Sequence, residues 1–412
     1  MSGTKPPLLF LAHLLPWPLT GGGQIKSYHT LRILSAAYDV TLLAYIRRPD
    51  EAAEVEPLRP LCREVRTVLL GRTKLGNARA AARALLTRRS FIVDRDDTPA
   101  MRAAVAEALA ARRYAAIHVD HLQMMQFVPR EAHARVILDH HNIEHRIPRR
   151  MAETHGGAGA AVRWYAAREW PSLRDYEVAA CRRSDLVLTV SPEDRDGLIE
   201  LAPDLEDRIA AVPIGVDTEY FGSVRRDLGS RTLLSIGTMY WPPNVDSMRY
   251  FCADILPKIK AEVPGVRLNI VGAKPTPAVR ALAEADPAVT VTGSVPDVRD
   301  WAADCAAFIV PLRSGSGMRV KILNAMAMGL PVVSTTIGAE GIEVTDGQNI
   351  LLADGADAFA RASVRLLRDP DLGARIGEGG RRLMAERYSW DRVGERLLEV
   401  YGGAVSPEVG AR

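Results

Sequence analysis

Short, nearly continuous apolar runs punctuate the whole chain: PLLFLAHLL, YDVTLLAY, VRTVLL, AAIHVD, RVILDH and LVLTVS in the first half, then TLLSIGT, VRLNIVGA, VTVTGSV, AAFIVPL, LPVVSTT and NILLAD in the second. Strands buried on both faces have this composition, and the helical patterns between the runs are the crossovers that parallel strands require. The fold class is therefore α/β, with two doubly wound, Rossmann-like parallel sheets. At 412 residues, two cores of ordinary size are expected in place of one.

The halves open alike, each with a strand, a loop bearing an aromatic residue and proline (PWPLT and YWPPN), and a helix. Residues 212–231, VPIGVDTEYFGSVRRDLGSR, carry glycine and charge without a hydrophobic period and read as the linker. The expected limits are residues 1–215 for the first domain, 216–387 for the second, 388–402 for a closing amphipathic helix and 403–412 for a flexible tail.

Composition excludes several classes. No run approaches the roughly 18 apolar residues that span a bilayer, and the start MSGTKPPLLFLAHLLPWP lacks a small-residue cleavage site, so it reads as a first strand and not as a signal peptide. Cys62, Cys181, Cys252 and Cys305 are too far apart for zinc or redox spacing, which suggests reduced thiols and a cytoplasmic setting. A net charge of only +3 gives no global field for nucleic acid. One local exception stands out: between Glu64 and Asp94 no acidic residue occurs, while Arg66, Arg72, Lys74, Arg79, Arg83, Arg88 and Arg89 do. Residues 66–89 suit peripheral contact with anionic lipid or a phosphate-bearing acceptor, or else form a solvated helix face. Oligomeric state leaves no mark.

Ligands of open parallel sheets bind at the carboxyl ends of the strands, and two such sheets facing each other leave a cleft. The loop RSGSG follows AAFIVPL and feeds GMRVKILNAMAMG, where glycines let a ligand approach a helix start and Arg319 and Lys321 add full charge. No Asp or Glu occurs from Cys305 through Ala339, so the segment calls for an anion, most simply a diphosphate. Gly21, Gly22 and Gly23 form a second glycine loop after the first strand; it is neither G-x-G-x-x-G nor a phosphate-binding ATPase loop, and Arg47 and Arg48 follow the next strand in place of an acidic ribose ligand.

Two further strand ends carry His118, Asp120 and His121, and Asp139, His140, His141, Asn142 and Glu144. Imidazole and carboxylate there can share the proton of a substrate hydroxyl, and can equally serve as satisfied structural hydrogen bonds. A metal needs three convergent ligands, which the spacing does not provide, so no metal site is expected.

Together, PWPLTGGGQ, SPEDRDGL, VPIGVD, the glycine-rich anion helix and the closing YSW segment resemble the family 4 glycosyltransferases of GT-B fold over nearly the whole chain. The nearest likeness is to bacterial sugar transferases with TGGGQ near the start and a GxRxKIL core at residues 317–335. The resemblance implies two Rossmann-like domains facing across a cleft, with acceptor in the first and donor in the second. It further implies a retaining, metal-independent transfer of a sugar from a nucleotide diphosphate sugar to a hydroxyl of a glycan, lipid-linked or small-molecule acceptor, with no cofactor, as in polysaccharide biosynthesis. The closing helix would cross back toward the first domain. In the roles so implied, Arg319 and Lys321 balance the departing diphosphate, and Asp120 or His121 steadies developing charge. Donor contacts fall to Gly22, Gly23, Thr238, Gly315, Ser316, Gly317, Met318 and Asn324, and acceptor contacts to Gln24, His141 and Asn142.

The chain departs from the family pattern at three places. Ser316 and Asn324 stand where the family carries two glutamates, an arginine and lysine pair is missing from GTMYWPPNVD, and Ile214 replaces the linker's asparagine. Asparagine keeps hydrogen bonding to a ribose but loses charge-assisted strength. A catalytically degenerate GT-B protein that binds nucleotide sugar or a partner without turnover is the second reading, and a nucleotide-sugar epimerase the third.

Overall fold

A computed structural model of the chain describes residues 5–87, 89–153, 160–224, 227, 229–315 and 317–405. Ser316, Arg88 and most of the expected tail lie outside the described residues. The chain divides into two compact units: Met1–Pro213 with Gly394–Arg412, and Ile214–Val393.

Unit 1 is built on β1 (Pro7–Ala12), β2 (Asp39–Ile46), β3 (Glu64–Leu69), β4 (Ala116–Asp120), β5 (Arg135–Asp139), β6 (Leu186–Thr189) and β7 (Ile209–Ala211), in the order β3-β2-β1-β4-β5-β6-β7. Every pairing is parallel. The central strands are buried on both faces, which is why they show no alternation: Leu8 through Ala12 are inaccessible to solvent. All the apolar runs singled out above are strands, and β7 is an addition, only three residues (Ile209, Ala210, Ala211) at the sheet edge, too short for a pattern to mark.

Unit 2 holds β8 (Thr232–Ile236), β9 (Arg267–Val271), β10 (Val289–Gly293), β11 (Ala307–Val310), β12 (Val332–Ser334) and β13 (Leu351–Leu352), again all parallel, in the order β10-β9-β8-β11-β12-β13. Phe251, Ile255 and Phe359 pack with Leu268, Ile270 and Ile309 in its core, each worth about 1.5–3 kcal/mol of apolar burial. Gly272 is obligatory: a Cβ there would stand 1.6 Å from the Gly237 carbonyl oxygen, so the loops after β8 and β9 touch backbone to backbone.

Helices begin where side chains satisfy their first N–H groups. Ser191 Oγ accepts from Asp194 N at 3.1 Å with Pro192 in the first helical position, and Asp369 Oδ1 accepts from Leu372 N at 2.8 Å ahead of Pro370. The stretch read as a linker contains a short helix, Thr218–Gly222, capped by Asp217. The last helix, Trp390–Val405, buries Tyr401 within unit 1.

Candidate functional site

In each sheet the strand order reverses once, between β1 and β4 and between β8 and β11, and polar side chains collect at those two places.

In unit 1, register aligns Ala12, Asp120 and Asp139 side by side, so three loops leave the sheet at one level. The loop after β1 leads to the helix Gly22–Ala37, which has no side-chain cap, so its first N–H groups stay available. One turn on, the buried face of that helix carries two polar residues. Lys26 forms a buried ion pair with Asp139, and Ser27 Oγ donates to Asp120 Oδ2 at 2.8 Å. Asp120 also accepts from His121 Nδ1 (3.0 Å) and His141 Nε2 (2.8 Å). The two imidazoles lie with centroids 3.7 Å apart. His121 is held at φ 81, a conformation costing a non-glycine residue about 1–3 kcal/mol. Its N–H bonds to Asp139 O and its C=O accepts from Met124 N, both at 3.1 Å.

These contacts set the protonation. Burial opposes charge on Asp120, but His141 and His121 hold its carboxyl well below the usual range. Burial also works against protonated His121, and Asp120 outweighs it, so this ring is raised. Burial, with repulsion from His121 and Lys26, pushes His141 down to about 3. His141 is thus neutral, with Nε2–H turned to Asp120 and a buried Nδ1 that has no hydrogen-bond partner among the described residues. A Cβ on Gly23 would stand 3.7 Å from both that Nδ1 and His121 Nε2. A hydroxyl between the helix start and these ring edges can receive a hydrogen bond from His121 and give one to His141.

Gly23, Asp120, His121 and His141 thus come together. Gln24 does not join them: Thr20 Oγ1 donates to its Oε1 (2.7 Å), and its Nε2 donates to Leu15 O (3.3 Å). Asn142 and Glu144 are half-buried in the same loop, the Glu144 carboxyl pushed up to about 7 by burial. His118 shares a hydrogen bond with Tyr401 and is pushed down to about 4 by burial. Asp120, His121 and His141, and likewise His118, Asp120 and Asp139, each offer ligand atoms within 4.8 Å of one another, a convergence that spacing did not reveal. Asp120 and Asp139 are already bonded to Ser27, histidine or Lys26, so these sets would take a metal only by releasing those partners. Sequence reasoning missed Lys26, Ser27 and Tyr401; the available signal was a lysine and serine on a helix face shared with Leu31 and Leu34.

In unit 2, the helix after β11 begins later than its composition suggests. It spans Val320–Ala327 with Arg319 as N-cap, because the glycines before it turn the chain out of helical geometry. Gly315 has φ +127, and a Cβ there would lie 2.8 Å from Arg319 Nη2; Gly317 has φ +80, and its carbonyl accepts from Arg319 Nη1. Met318 is buried beneath this turn. Lys321 Nζ donates to Asn244 Oδ1 at 3.1 Å, while Asn244 Nδ2 donates to Thr238 O at 3.0 Å. Burial, with Arg319 nearby, pushes the Lys321 ammonium down to about 7, and no carboxylate pairs with it among the described residues. Asn324 is half-buried one turn further along the same face. The loop after β8, which lacks a cation of its own before Asn244, therefore receives one from the helix after β11.

The two doubly wound parallel sheets give the chain the GT-B class of fold. The sucrose-phosphate synthase from Thermosynechococcus elongatus superposes with TM-score 0.73 at 17% identity, covering 97% of this chain and 99% of that one. Anabaena Alr3699/HepE, solved in complex with UDP, gives TM-score 0.67 at 14% identity over 96% of this chain and all of that one (100%). Residues 230–369, within unit 2, match the family described as glycosyl transferases group 1, in agreement with the resemblance found in the sequence. D-inositol 3-phosphate glycosyltransferase of Salinispora arenicola is 44% identical over 86 residues, 20% of this chain and 19% of the relative. Alpha-maltose-1-phosphate synthase of Mycolicibacterium smegmatis is 26% identical over 291 residues, 64% of this chain and 72% of the relative. The alignment spans about a fifth of the first curated relatives' length.

Proposed function

We propose that the chain is a glycosyltransferase that moves a sugar from a nucleotide diphosphate sugar to a hydroxyl acceptor, with retention and without a metal. The observation that carries the reading is Lys321: a half-buried ammonium pushed down to about 7, with no carboxylate partner among the described residues, where the sheet order reverses. Such a group is satisfied by an incoming anion, and Arg319, Gly315 and Gly317 beside it suit the oxygens of a diphosphate. Thr238, Met318 and Asn324 complete the donor contacts in this reading, with Ser316 assigned by sequence alone.

In the reaction, the bond from the anomeric carbon to the phosphate oxygen breaks and a bond from the acceptor oxygen forms on the same face. The acceptor proton passes to the departing diphosphate, whose charge Lys321 and Arg319 balance. Gly22, Gly23, His121 and His141 receive the sugar and acceptor hydroxyls, with Asn142 and Gln24 assigned to the acceptor. Asp120 fixes both rings and the tautomer of His141. The four cysteines, none of them in a disulfide, support a reducing, cytoplasmic setting.

Release of nucleoside diphosphate from a panel of nucleotide sugars, with and without hydroxyl acceptors, tests the reading. Uridine diphosphate sugars come first, because Anabaena HepE was solved with UDP. Acceptor-dependent release with one nucleotide class is expected; saturable binding with no release from any donor would overturn turnover.

A further inference from the structure

The helix Lys74–Thr87 is packed loosely for its 14 residues: Ala80 is its only buried residue, and leucines sit on its open surface, Leu75 at 62% exposure and Leu86 at 85%. The start of the helix Ala160–Arg182 adds to that surface. Arg168 Nη2 donates to Leu85 O at 2.9 Å, and Trp164, one turn earlier on the same face as Arg168, is 63% exposed. Leu85, Leu86 and Trp164 therefore flank one junction, with Tyr165 held beside it by its contact with Phe91.

The charges around this apolar surface are of one sign. The structure reduces the seven cations read from residues 66–89, since Arg66 pairs with Glu64, Arg72 with Asp96, and Arg83 and Arg89 with the buried Asp94. Lys74 and Arg79 stay exposed on the helix with no ion pair among the described residues, and no acidic side chain lies on the helix itself. A water-soluble partner surface does not call for this combination of protruding leucine and tryptophan with two free cations on the same helix and no acid there; the boundary between headgroups and acyl chains of an anionic bilayer does.

We propose that the helix Lys74–Thr87, with the start of the helix Ala160–Arg182, is a docking surface for an anionic lipid bilayer. Leu86 and Trp164 enter the headgroup boundary, and Lys74 and Arg79 meet the lipid phosphates. The proposal stands independently of the donor assignment.

Flotation of the full chain with vesicles of neutral phosphatidylcholine, and of the same lipid with anionic phosphatidylglycerol, tests it. Wild type is expected to float with the anionic vesicles and to be released at high salt, because surface attraction is screened within a Debye length. Lys74→Gln/Arg79→Gln should weaken partitioning by about fivefold per cation, and Leu86→Ser/Trp164→Ser should abolish it, each with an unchanged melting temperature. All four positions are exposed, so loss of fold is not expected. No flotation of wild type, or flotation indifferent to both double variants, would overturn the proposal. So would a wild-type dimer in sedimentation that Leu86→Ser converts to monomer, since a second copy would then be the occupant.

Discussion

The ammonium of Lys321 and the carboxamide of Asn244, 77 residues apart in sequence, meet at 3.1 Å. Asn244 is itself fixed by its bond to Thr238 O, so the lysine is aimed by a side chain that accepts a hydrogen bond without neutralising it. A carboxylate in the same place would cancel the charge that the donor's diphosphate needs.

Lys321→Ala is expected to lower turnover at least about tenfold, the scale of losing ~1.4 kcal/mol of transition-state stabilisation. Asn244→Ala removes the aiming bond but not the charge, and should cost about 0.5–1.5 kcal/mol of donor affinity. Steady-state release of nucleoside diphosphate compares the two; wild-type rates in the lysine variant would contradict the role of this ammonium.

Donor binding should take up protons in mildly alkaline buffer. With the lysine pushed down to about 7, most of it is neutral at about pH 8, and a bound diphosphate favours its protonated form. Affinity accordingly falls as pH rises through and above the free protein's value. Titration calorimetry in two buffers of different ionisation enthalpy reads the uptake, which Lys321→Met should abolish.

Gly23→Ala separates folding from function. Its new methyl would meet His121 Nε2 and His141 Nδ1 at 3.7 Å, an ordinary contact, and alanine is favoured in a helix. The variant should melt within a few degrees of wild type, a change of about 1 kcal/mol or less. Activity should nevertheless fall, because the methyl fills the place between the helix start and the two rings. Full activity would place the hydroxyls elsewhere.

Through His118, acid should destabilise unit 1 before Asp120 protonates. The folded value of His118 lies at about 4, below the ordinary 6.5, so the unfolded chain binds the proton first. The His118 contribution to stability is complete above 6.5 and is lost toward 4, by up to ~1.4 kcal/mol per pH unit. The lowered Asp120 contributes its own loss only below the usual carboxylate value of 3.8, and the raised His121 acts in the opposite sense above 6.5. Urea midpoints between about pH 6.5 and 4.5 read the summed slope, to which the lowered His141 adds and which the raised Glu144 opposes; His118→Asn should make it shallower.

Local pattern determined much of this protein. Strands buried on both faces announce themselves as unbroken apolar runs, and a helix start rich in glycine and cations, without nearby acid, announces an anion. These signals lie within a few residues of one another, where periodicity and charge can be read directly. β7 escaped because three residues are too few to carry a period, and the helix at Val320 was placed early because left-handed glycines do not show in composition.

Partnerships across the sheet were decided by the tertiary structure. Sequence assigned a role to Asp120 or His121, but only the parallel register sets Asp120 level with Asp139, and only the packed first helix brings Ser27 to Asp120 across 93 residues. Tyr401 reaches His118 from 283 residues away through the closing helix. The acid-free stretch lost much of its free charge the same way, to Asp94 and Asp96. Burial and nearby charge set each group's protonation, and both depend on which distant segments pack around it.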